Sequence, residues 1–353
     1  MKATSSVQAE HKINLKNLEE KLRRLDLSNL AISDYSKRYF GDYLRKLTYG
    51  IQACAFIVES SLVNTDKKPK DLIFIDHGGG IGLLSIIAKM MGMGKVIYSD
   101  IYDVATRDAQ VLAEAIGVHI DHYVAGDVDE LLNYMHTNKL DVDIIASRNV
   151  IEHVFNPAKF IEKIAQINQH SLQLFFATTA NIENPMVNMY TRRIHKKLEY
   201  QGMGKAWGNK ERDQLMAYLD IRKNIILQNF PGLIEEEVDM LAKKTRGYIK
   251  EDILDAIKAF ILYQTPPIEI QDPTNTCDPL TGNWAEHLIP ITEYEKMFVE
   301  NGFSFQLVYG FYNTAYPQKM LNTITPLLNL FIEKMPFTGK FLAPFIGLSG
   351  YRK

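Results

Sequence analysis

The sequence predicts an α/β protein in which a mostly parallel sheet, covered by helices on both faces, binds a ligand at its strand ends. Three observations support this fold class. An apolar run at 72–75 leads through a glycine-rich turn into a helical pattern. Short apolar runs then alternate with helical segments over 71–181, as in parallel sheets. Polar residues follow several of these runs, where such sheets bind their ligands.

Helices are predicted before the sheet. Apolar residues recur at helical spacing over 15–25 and 35–62, separated by cap and turn residues at 28–34. Residues 1–66 are therefore predicted as an N-terminal helical lid. Its tyrosines suit either an aromatic cover over a ligand or ordinary packing: Tyr35, Tyr39, Tyr43 and Tyr49.

The turn after the first strand reads Asp76-His77-Gly78-Gly79-Gly80-Ile81-Gly82. Glycines allow a tight turn and a close approach to a ligand, and the helix start presents N–H groups to it. Glycine turns also occur without any ligand. Here the second strand, 95–100, ends in Asp100, at the distance expected for a ribose-binding carboxylate. The two elements together predict a nucleotide-like cofactor.

The glycine spacing discriminates between cofactors. A dinucleotide fingerprint is G-x-G-x-x-G, but glycines stand here at 78, 80 and 82, and Leu83 occupies the place of the third. A nicotinamide cofactor is therefore disfavoured. The pattern D-x-G-x-G-x-G resembles motif I of the class I S-adenosylmethionine-dependent methyltransferases.

Further segments resemble the same family in the same order. They are Asp100, residues 125–128 after strand three, and residues 149–154 after strand four, where many small-molecule methyltransferases carry a similar E-H-V stretch. The resemblance covers roughly 71–181, with its tail at 286–353. It implies a Rossmann-like sheet, mostly parallel with an antiparallel last strand, and S-adenosyl-L-methionine as the cofactor.

The resemblance also implies where the cofactor binds. Asp76 and the turn glycines would approach its amino-acid part, Asp100 would hold the ribose hydroxyls, and Asp127 with Val128 would border the adenine. The full predicted set is Asp76, Gly78, Gly79, Gly80, Gly82, Asp100, Ile101, Asp127, Val128 and Asn149. His77 departs from the commoner apolar residue at its position, and its role is open.

Three histidines are predicted as catalytic residues. A hydroxyl acceptor needs a general base, for which histidine is suited, whereas an amine has to arrive neutral. His153 follows strand four, His287 precedes the return helix, and His77 lies inside the turn. His153 could instead cap a helix or pack beneath the cofactor, and His77 could hold the turn in shape by a hydrogen bond.

Residues 183–285 are predicted as a helical insertion within a core formed by 67–182 and 286–353. The resemblance implies that this insertion and the N-terminal helices cover the acceptor. The insertion has a local excess of basic residues: Arg192, Arg193, Lys196, Lys197, Lys205, Lys210, Arg212, Arg222 and Lys223. This excess suits either an anionic acceptor or a solvated helix face. Arg192, Arg193 and Tyr43 are predicted to bind the acceptor.

The tail is predicted as a helix over 318–334 and an apolar segment, 341–351. The resemblance implies that this segment pairs antiparallel at the sheet edge, as the family's last strand does. Its phenylalanines could form a membrane-surface patch, but a basic polar face is lacking, so they are predicted to pack in the core. These residues are Phe331, Phe337, Phe341 and Phe345.

The composition argues against several classes of function. The net charge of −2 over 353 residues argues against a dedicated nucleic-acid binder. Two isolated cysteines and a polar N-terminus fit a reducing cytoplasm, and no apolar run approaches the roughly 20 residues that span a bilayer. No spacing of cysteine and histidine predicts a metal.

We therefore predict a cytoplasmic S-adenosylmethionine-dependent methyltransferase of small-molecule biosynthesis. Its acceptor is predicted to be small and anionic or carrier-linked, with oxygen preferred over nitrogen as the acceptor atom. Two alternatives stay open: a catalytically silent scaffold that binds a partner through the insertion, and a nicotinamide-dependent oxidoreductase. Association of copies through the helical regions is compatible with either.

Overall fold

A computed structural model describes residues 14–167, 171–202, 216–270 and 274–352. The chain divides into two compact units, which we call the sheet unit and the helical unit. The sheet unit comprises Met1–Ile151, Ala158–Thr178 and Ile291–Lys353, and the helical unit comprises Glu152–Pro157 and Thr179–Pro290. The lid role and the three-part division proposed from sequence stay predictions.

The sheet unit contains a seven-stranded sheet in the order β3-β2-β1-β4-β5-β7-β6. The strands are β1 (Ile73–His77), β2 (Lys95–Asp100), β3 (His122–Ala125), β4 (Ile144–Arg148), β5 (Leu172–Thr178), β6 (Ser304–Tyr309) and β7 (Ile346–Arg352). The strands β1 to β5 are parallel, and β7 runs antiparallel to both of its neighbours. This order confirms the predicted fold class.

The predicted position of the last strand at the sheet edge is wrong. Strand β7 lies between β5 and β6, and β6 forms the edge. The reason is burial on both faces of β7: a Cβ on Gly347 would lie 2.3 Å from the Phe175 ring, and one on Gly350 would lie 2.3 Å from the Phe298 ring. Strand β6 is instead largely half-buried, as an edge strand can be.

Helices cover this sheet. In the sheet unit they are α1 (14–24), α2 (Asp34–Leu44), α3 (Leu47–Ser61), α4 (Leu83–Met90), α5 (Asp103–Ala115), α6 (Val128–Asn138), α7 (Pro157–Ile164), α12 (Ile291–Glu300), α13 (Lys319–Lys334) and α14 (Pro336–Leu342). The second predicted helix, 35–62, is in fact two, because Lys46 leaves the helical conformation with φ −126° and ψ 25°.

The N-terminal helices are part of the sheet's main core. Leu22 of α1, Phe40 of α2 and Ile57 of α3 are buried in the same apolar cluster as Phe74 of β1 and Phe175 of β5. Burying a side chain of this size contributes about 1.5–3 kcal/mol each to the free energy of unfolding. These helices are therefore built into the core of the sheet unit.

The helical unit contains α8 (Pro185–Tyr200), α9 (Tyr218–Asn229), α10 (Glu235–Lys244) and α11 (Lys250–Tyr263). Its apolar core lies among α9, α10 and α11, with Ile226, Leu241 and Ile257 fully buried. Asn184 caps α8 by accepting hydrogen bonds from the N–H groups of Met186 and Val187, which satisfies two donors of the first turn. The cap and Pro185 at the first position fix where α8 begins.

The prediction that four tail phenylalanines pack in the core holds for one of them. Phe345 is 5% exposed, whereas Phe337 is 78% exposed and Phe331 and Phe341 are also exposed. Phe331 is exposed because α13 turns Asn322 and Asn329 toward the preceding loop and buries Thr325 and Ile332, which places Phe331 on the outer face. In the described part of the chain, no helix combines the length and apolarity needed to cross a membrane.

Candidate functional site

The glycine turn between β1 and α4 has a backbone that other residues adopt only with strain. Gly78, Gly80 and Gly82 have φ values of 69°, 55° and 78°. At Gly79 the constraint is space, because a Cβ there would lie 2.5 Å from the Tyr98 ring and 2.9 Å from Asp76 Oδ2. Glycine is therefore required at these positions by geometry as well as by conformation.

Hydrogen bonds fasten the turn to the end of β2. The amides of Gly78 and Gly79 donate to the Ser99 carbonyl at 2.7 and 3.0 Å, and the Gly80 amide donates to Asp100 Oδ2 at 2.9 Å. Asp100 Oδ1 accepts from the Tyr102 amide at 3.0 Å. Because a carboxylate has about four acceptor positions, these bonds orient Asp100 and are compatible with its binding hydroxyls as well.

Asp76 links β1 to the start of α4. Its Oδ2 accepts from the Ser85 amide at 2.9 Å and from the Ser85 hydroxyl at 2.8 Å. Burial raises the pKa of the Asp76 carboxyl from 3.8 to about 7, and the Asp100 carboxylate contributes to this rise. Asp76 is thus partly protonated at neutral pH.

A cavity of about 130 Å³ lies beside the turn. Its lining residues are Tyr39, Tyr43, Cys54, Asp76, Gly78, Gly79, Gly80, Ile81, Leu83, Leu84, Arg148 and Asn149. Small-molecule sites usually enclose about 300–1,000 Å³. The rings of Tyr39 and Tyr43, with centroids 6.1 Å apart on α2, bound this smaller space.

Asn149, at the end of β4, has a left-handed backbone with φ 56°. Its amide donates to the Ala177 carbonyl of β5 at 2.8 Å, which holds it there. A non-glycine residue in this region costs free energy, and such strain is concentrated at functional sites. The structure brings Asn149 to the same cavity as Asp76, Gly78, Gly79 and Gly80, as predicted from their positions at strand ends.

Arg148 is a site residue that sequence reasoning missed. Its guanidinium lies 5.4 Å from the centroid of the Tyr43 ring, and its Nη1 lies 3.8 Å from Cys54 Sγ. Burial raises the pKa of the Cys54 thiol well above its ordinary value, so this group is a neutral neighbour. The signal available in the sequence was its place, since Arg148 is the last residue of β4 and directly precedes Asn149.

Other predicted cofactor residues, Asp100 among them, lie outside the lining of this cavity. Ile101, after β2, is half exposed, and Val128 is buried at the start of α6. Asp127 caps α6, because its side chain accepts from the Asp129 amide at 2.6 Å while Glu130 accepts from the Asp127 amide at 3.0 Å. The cofactor roles of Gly82, Ile101, Asp127 and Val128 stay predictions.

His77 does not line the cavity. It follows Asp76 in β1 and so points to the other face of the sheet, where its ring lies 5.3 Å from Phe160 and its Nδ1 lies 3.3 Å from Ser99 Oγ. Burial lowers the pKa of His77 to about 4, so the ring is neutral at physiological pH. This placement favours the structural alternative, while its catalytic role stays a prediction.

His153 and His287 lie in the helical unit, and both contact Trp284. His153 Nδ1 donates to the Trp284 carbonyl at 2.8 Å, which leaves Nε2 without a proton in the neutral ring. The His287 ring lies 4.2 Å from the Trp284 ring. Sequence reasoning missed Trp284, whose indole N–H donates to the Phe155 carbonyl at 3.0 Å and fixes its position.

The acceptor residues predicted from sequence fall in different units. Arg192 and Arg193 line an open groove of about 630 Å³ along α8, whereas Tyr43 lies in the sheet unit. The groove is lined by Ile182, Glu183, Pro185, Asn188, Met189, Arg192, Arg193 and Lys196. Arg192 Nε donates to Asn188 Oδ1 at 2.6 Å, one turn away.

The excess of basic residues that the sequence predicts for the insertion is smaller at its surface. Arg222 is 0% exposed and pairs with the buried Glu199, so it cannot belong to a solvated face. Lys223 pairs with Asp239 at 2.6 Å. Lys205, Lys210 and Arg212 lie outside the described residues. Among the residues that the structure does describe, no group of three or more His, Cys, Asp or Glu side chains is placed to hold a metal ion.

Comparison with known proteins gives matches in solved structures. No family model matches the chain, and no curated protein does. An S-adenosylmethionine-dependent methyltransferase from Mesorhizobium loti is 12% identical, covering 84% of this chain and 95% of that chain at a TM-score of 0.37. Magnesium protoporphyrin IX methyltransferase from Synechocystis, with bound S-adenosylhomocysteine, is 14% identical, covering 86% and 83% at a TM-score of 0.38.

A plantazolicin methyltransferase in complex with a triazolic desmethylPZN analog and S-adenosylhomocysteine is 10% identical, covering 96% of this chain and 98% of that chain at a TM-score of 0.39. At such low identities and TM-scores, the fold assignment rests on this chain's own strand order and glycine turn. The chain has a Rossmann-like fold, in which the parallel strands β1 to β5 are extended by an antiparallel β7 between β5 and β6.

Proposed function

We propose that this protein is an S-adenosylmethionine-dependent methyltransferase that acts on a small anionic acceptor, free or carrier-linked, at an oxygen in preference to a nitrogen. The observation that carries the proposal is the glycine turn held against Asp100. Gly80 donates to this carboxylate, and the adjoining cavity combines exposed backbone with Arg148 and Asn149. This arrangement at the carboxyl ends of the strands suits a ligand that has a ribose and a zwitterionic amino-acid end.

The residues present fit the chemistry of that cofactor. Asp100 would accept from the ribose hydroxyls, and the Arg148 guanidinium would pair with the carboxylate of the amino-acid end. The 130 Å³ cavity is smaller than a ligand of this size requires, so Tyr39 and Tyr43 have to turn aside for it to enter. When bound, S-adenosylmethionine supplies a methyl group on a positively charged sulfur.

The chain's own contribution would be alignment, exclusion of water and removal of a proton. Holding two reactants in line accounts for much of the rate in such a transfer. A hydroxyl acceptor must also lose its proton to a base. His153 supports the preference for oxygen, because its Nδ1–H is committed to the Trp284 carbonyl and its Nε2 can receive a proton.

The α8 groove supports an anionic acceptor. Arg192, Arg193 and Lys196 line it against the single acid Glu183, so its lining has a net positive charge. Guanidinium groups bind planar carboxylates and phosphates through paired hydrogen bonds. Its volume of about 630 Å³ falls within the range of small-molecule sites.

Calorimetry with S-adenosylmethionine and S-adenosylhomocysteine tests the cofactor. We expect Asp100→Asn to weaken binding roughly 10- to 100-fold, because it removes the charge from a hydrogen bond worth about 1–3 kcal/mol. Asp121→Asn is the matched control, since Asp121 Oδ2 also accepts from a backbone amide, that of Val96 at 2.8 Å, but Asp121 precedes β3 and lies at the end of the parallel strands opposite to Asp100. Lack of wild-type binding by a folded chain would favour the scaffold, and binding of a nicotinamide dinucleotide instead would favour the oxidoreductase.

A screen of anionic hydroxyl compounds tests the acceptor. With a compound that is methylated, Arg193→Gln is expected to raise KM about tenfold by removing a charged hydrogen bond. His153→Gln is expected to lower kcat about 100-fold and to remove the ionisation of a base from the pH profile, with cofactor affinity retained. Turnover restricted to amines, or an unchanged pH profile in His153→Gln, would contradict the oxygen assignment.

A further inference from the structure

Helix α13 is fixed to the sheet unit by one face. Asn329 Oδ1 accepts from the Tyr312 amide at 2.7 Å, and Asn329 Nδ2 donates to the Tyr312 carbonyl at 3.0 Å. Asn322 makes the same pair of bonds with Tyr316, at 2.6 and 2.8 Å. Since residues seven apart lie on one face of a helix, these two bidentate contacts determine which face of α13 points inward.

The opposite face of α13 is apolar and exposed. Met320, Ile324, Leu327 and Phe331 recur at the spacing of one helical face, and all four are exposed, with Met320 at 71%. A helix of a soluble protein normally shows the reverse arrangement, with its apolar stripe buried. The inward amide anchors make this exposure a consequence of how the helix is attached.

Helix α14 extends the apolar surface. Phe337 and Phe341 are exposed, and their rings pack edge to face with centroids 5.9 Å apart. We call the six exposed side chains of α13 and α14 the tail face: Met320, Ile324, Leu327, Phe331, Phe337 and Phe341. Contiguous apolar surface of this kind marks an interaction site rather than ordinary exposure.

Helix α13 itself has no basic polar face, because its inward side chains Asn322 and Asn329 are uncharged, but the charged residues around the tail face are predominantly basic. Residues 310–345 contain three lysines, Lys319, Lys334 and Lys340, and one acid, Glu333. Lys340 Nζ lies 4.8 Å from the centroid of the Phe341 ring, and Lys334 Nζ lies 3.1 Å from Glu333 Oε1. Lysines that border an apolar face can lay their stems along it and keep their ammonium groups at the level of a charged surface.

We infer that the tail face binds the interface of an anionic phospholipid bilayer. Its apolar side chains would enter the boundary between headgroups and acyl chains, and the three lysines would contact the lipid phosphates. A second copy fits less well, because a two-fold interface places the same patch against itself and would bring its positive rims together. Such surface binding needs no membrane-spanning helix.

Flotation of the full chain with vesicles tests this inference. We expect binding to vesicles of phosphatidylcholine mixed with phosphatidylglycerol, weaker binding to phosphatidylcholine alone, and a decrease with added salt. The double variant Leu327→Ser and Phe331→Ser is expected to lose about tenfold or more of this binding. Leu262→Ser, an equal change at an exposed leucine of α11, is expected to retain it.

A second measurement detects contact of the tail face with the membrane without replacing its apolar side chains by polar ones. Phe337→Trp places an indole on the tail face, and its emission is expected to shift to the blue only when anionic vesicles are added. Light scattering of the free protein identifies the competing occupant. Absence of flotation, equal flotation of the double variant, or a wild-type dimer that the double variant dissociates would overturn the inference.

Discussion

Asp76 and Asp100 of the sheet unit and Glu199 of the helical unit are buried carboxyls that are held in different ways. In the sheet unit, Asp76 is held by an amide and a hydroxyl of Ser85, and Asp100 by the amides of Gly80 and Tyr102. In the helical unit, Glu199 is paired with the guanidinium of Arg222, and both are buried. We therefore expect the stability of the sheet unit to depend on the protonation of its buried carboxyls. The stability of the helical unit should instead depend on the presence of both partners of its ion pair.

The helical network extends beyond a single pair. Arg222 Nε also donates to the Ala242 carbonyl at 2.8 Å, which ties α9 to α10. Glu199 Oε2 lies 3.8 Å from Arg246 Nε and accepts from the Thr276 hydroxyl at 3.3 Å. Such a network specifies the arrangement of α8, α9 and α10 because each member satisfies another.

The largest expected effect comes from breaking this network. Arg222→Met leaves the Glu199 carboxylate buried without its main partner, and removing one partner of a buried pair costs about 3–5 kcal/mol of the free energy of unfolding. Lys223→Met is the control, since it breaks the neighbouring exposed pair with Asp239, worth about 0–1 kcal/mol. Urea denaturation measures both, and equal losses would contradict the distinction between them.

The next effect is the pH response of Asp76. Its folded pKa of about 7 lies above the unfolded value of 3.8, so in this window the folded chain retains a proton that the unfolded chain has released. The contribution of Asp76 to stability is therefore complete below the unfolded value and is lost as pH rises to about 7. Each pKa unit corresponds to about 1.4 kcal/mol. The free energy of unfolding of Asp76→Asn, relative to that of wild type, should therefore rise by roughly 2–4 kcal/mol between acid and alkaline pH.

Unfolding free energies at pH 5 and pH 8 measure this difference. Asp121→Asn is the control: the bond from the Val96 amide and the pairing with Lys89 outweigh burial and lower the pKa of Asp121 from 3.8, so its contribution is lost only below pH 3.8 and its difference from wild type should be the same at pH 5 and pH 8. His77 and the buried His195 also have lowered pKa values, but both are present in wild type, in Asp76→Asn and in Asp121→Asn. Their contributions to the pH dependence of stability therefore cancel when these three proteins are compared. A pH-independent difference for Asp76→Asn would show that the carboxyl stays ionised.

The smallest effect concerns the backbone of the turn. Gly80→Ala and Gly92→Ala both place a side chain at positive φ, 55° and 87°, which costs about 1–2 kcal/mol of stability. Only at Gly80 does the new methyl group point into the cavity, with Tyr39 as its nearest neighbour at 3.8 Å. Calorimetry should therefore show weaker S-adenosylmethionine binding for Gly80→Ala alone, and equal affinities would remove the turn from the site.

The predictability of the two units differs for a physical reason. The glycine turn, Asp100 and Asn149 could be placed from sequence because the chain passes directly from strand to turn, and parallel strands end at one edge. Arg222 could not, because its spacing is that of a surface charge and its burial depends on Glu199, a residue of another helix. Helical periodicity states which residues share a face, but not which way that face points.

The tail illustrates the same limit. The periodicity of α13 shows an apolar stripe, and packing in the core was the natural expectation for Phe331 and Phe337. The inward direction is instead decided by bonds of Asn322 and Asn329 to backbone groups of the preceding loop, which no apolar pattern encodes. Likewise an apolar run identifies β7 as a strand without showing that it has neighbours on both sides.

The central position of β7 also sets an order of events during synthesis. Gln173 Nε2 of β5 donates to Ser349 Oγ of β7 across 176 positions of sequence, and the helical unit is encoded between them. A chain emerging from the ribosome therefore presents β1 to β5 and all of α8 to α11 before β7 is available to pair with β5. We expect the helical unit to fold first and β5 to need protection from aggregation until β7 arrives.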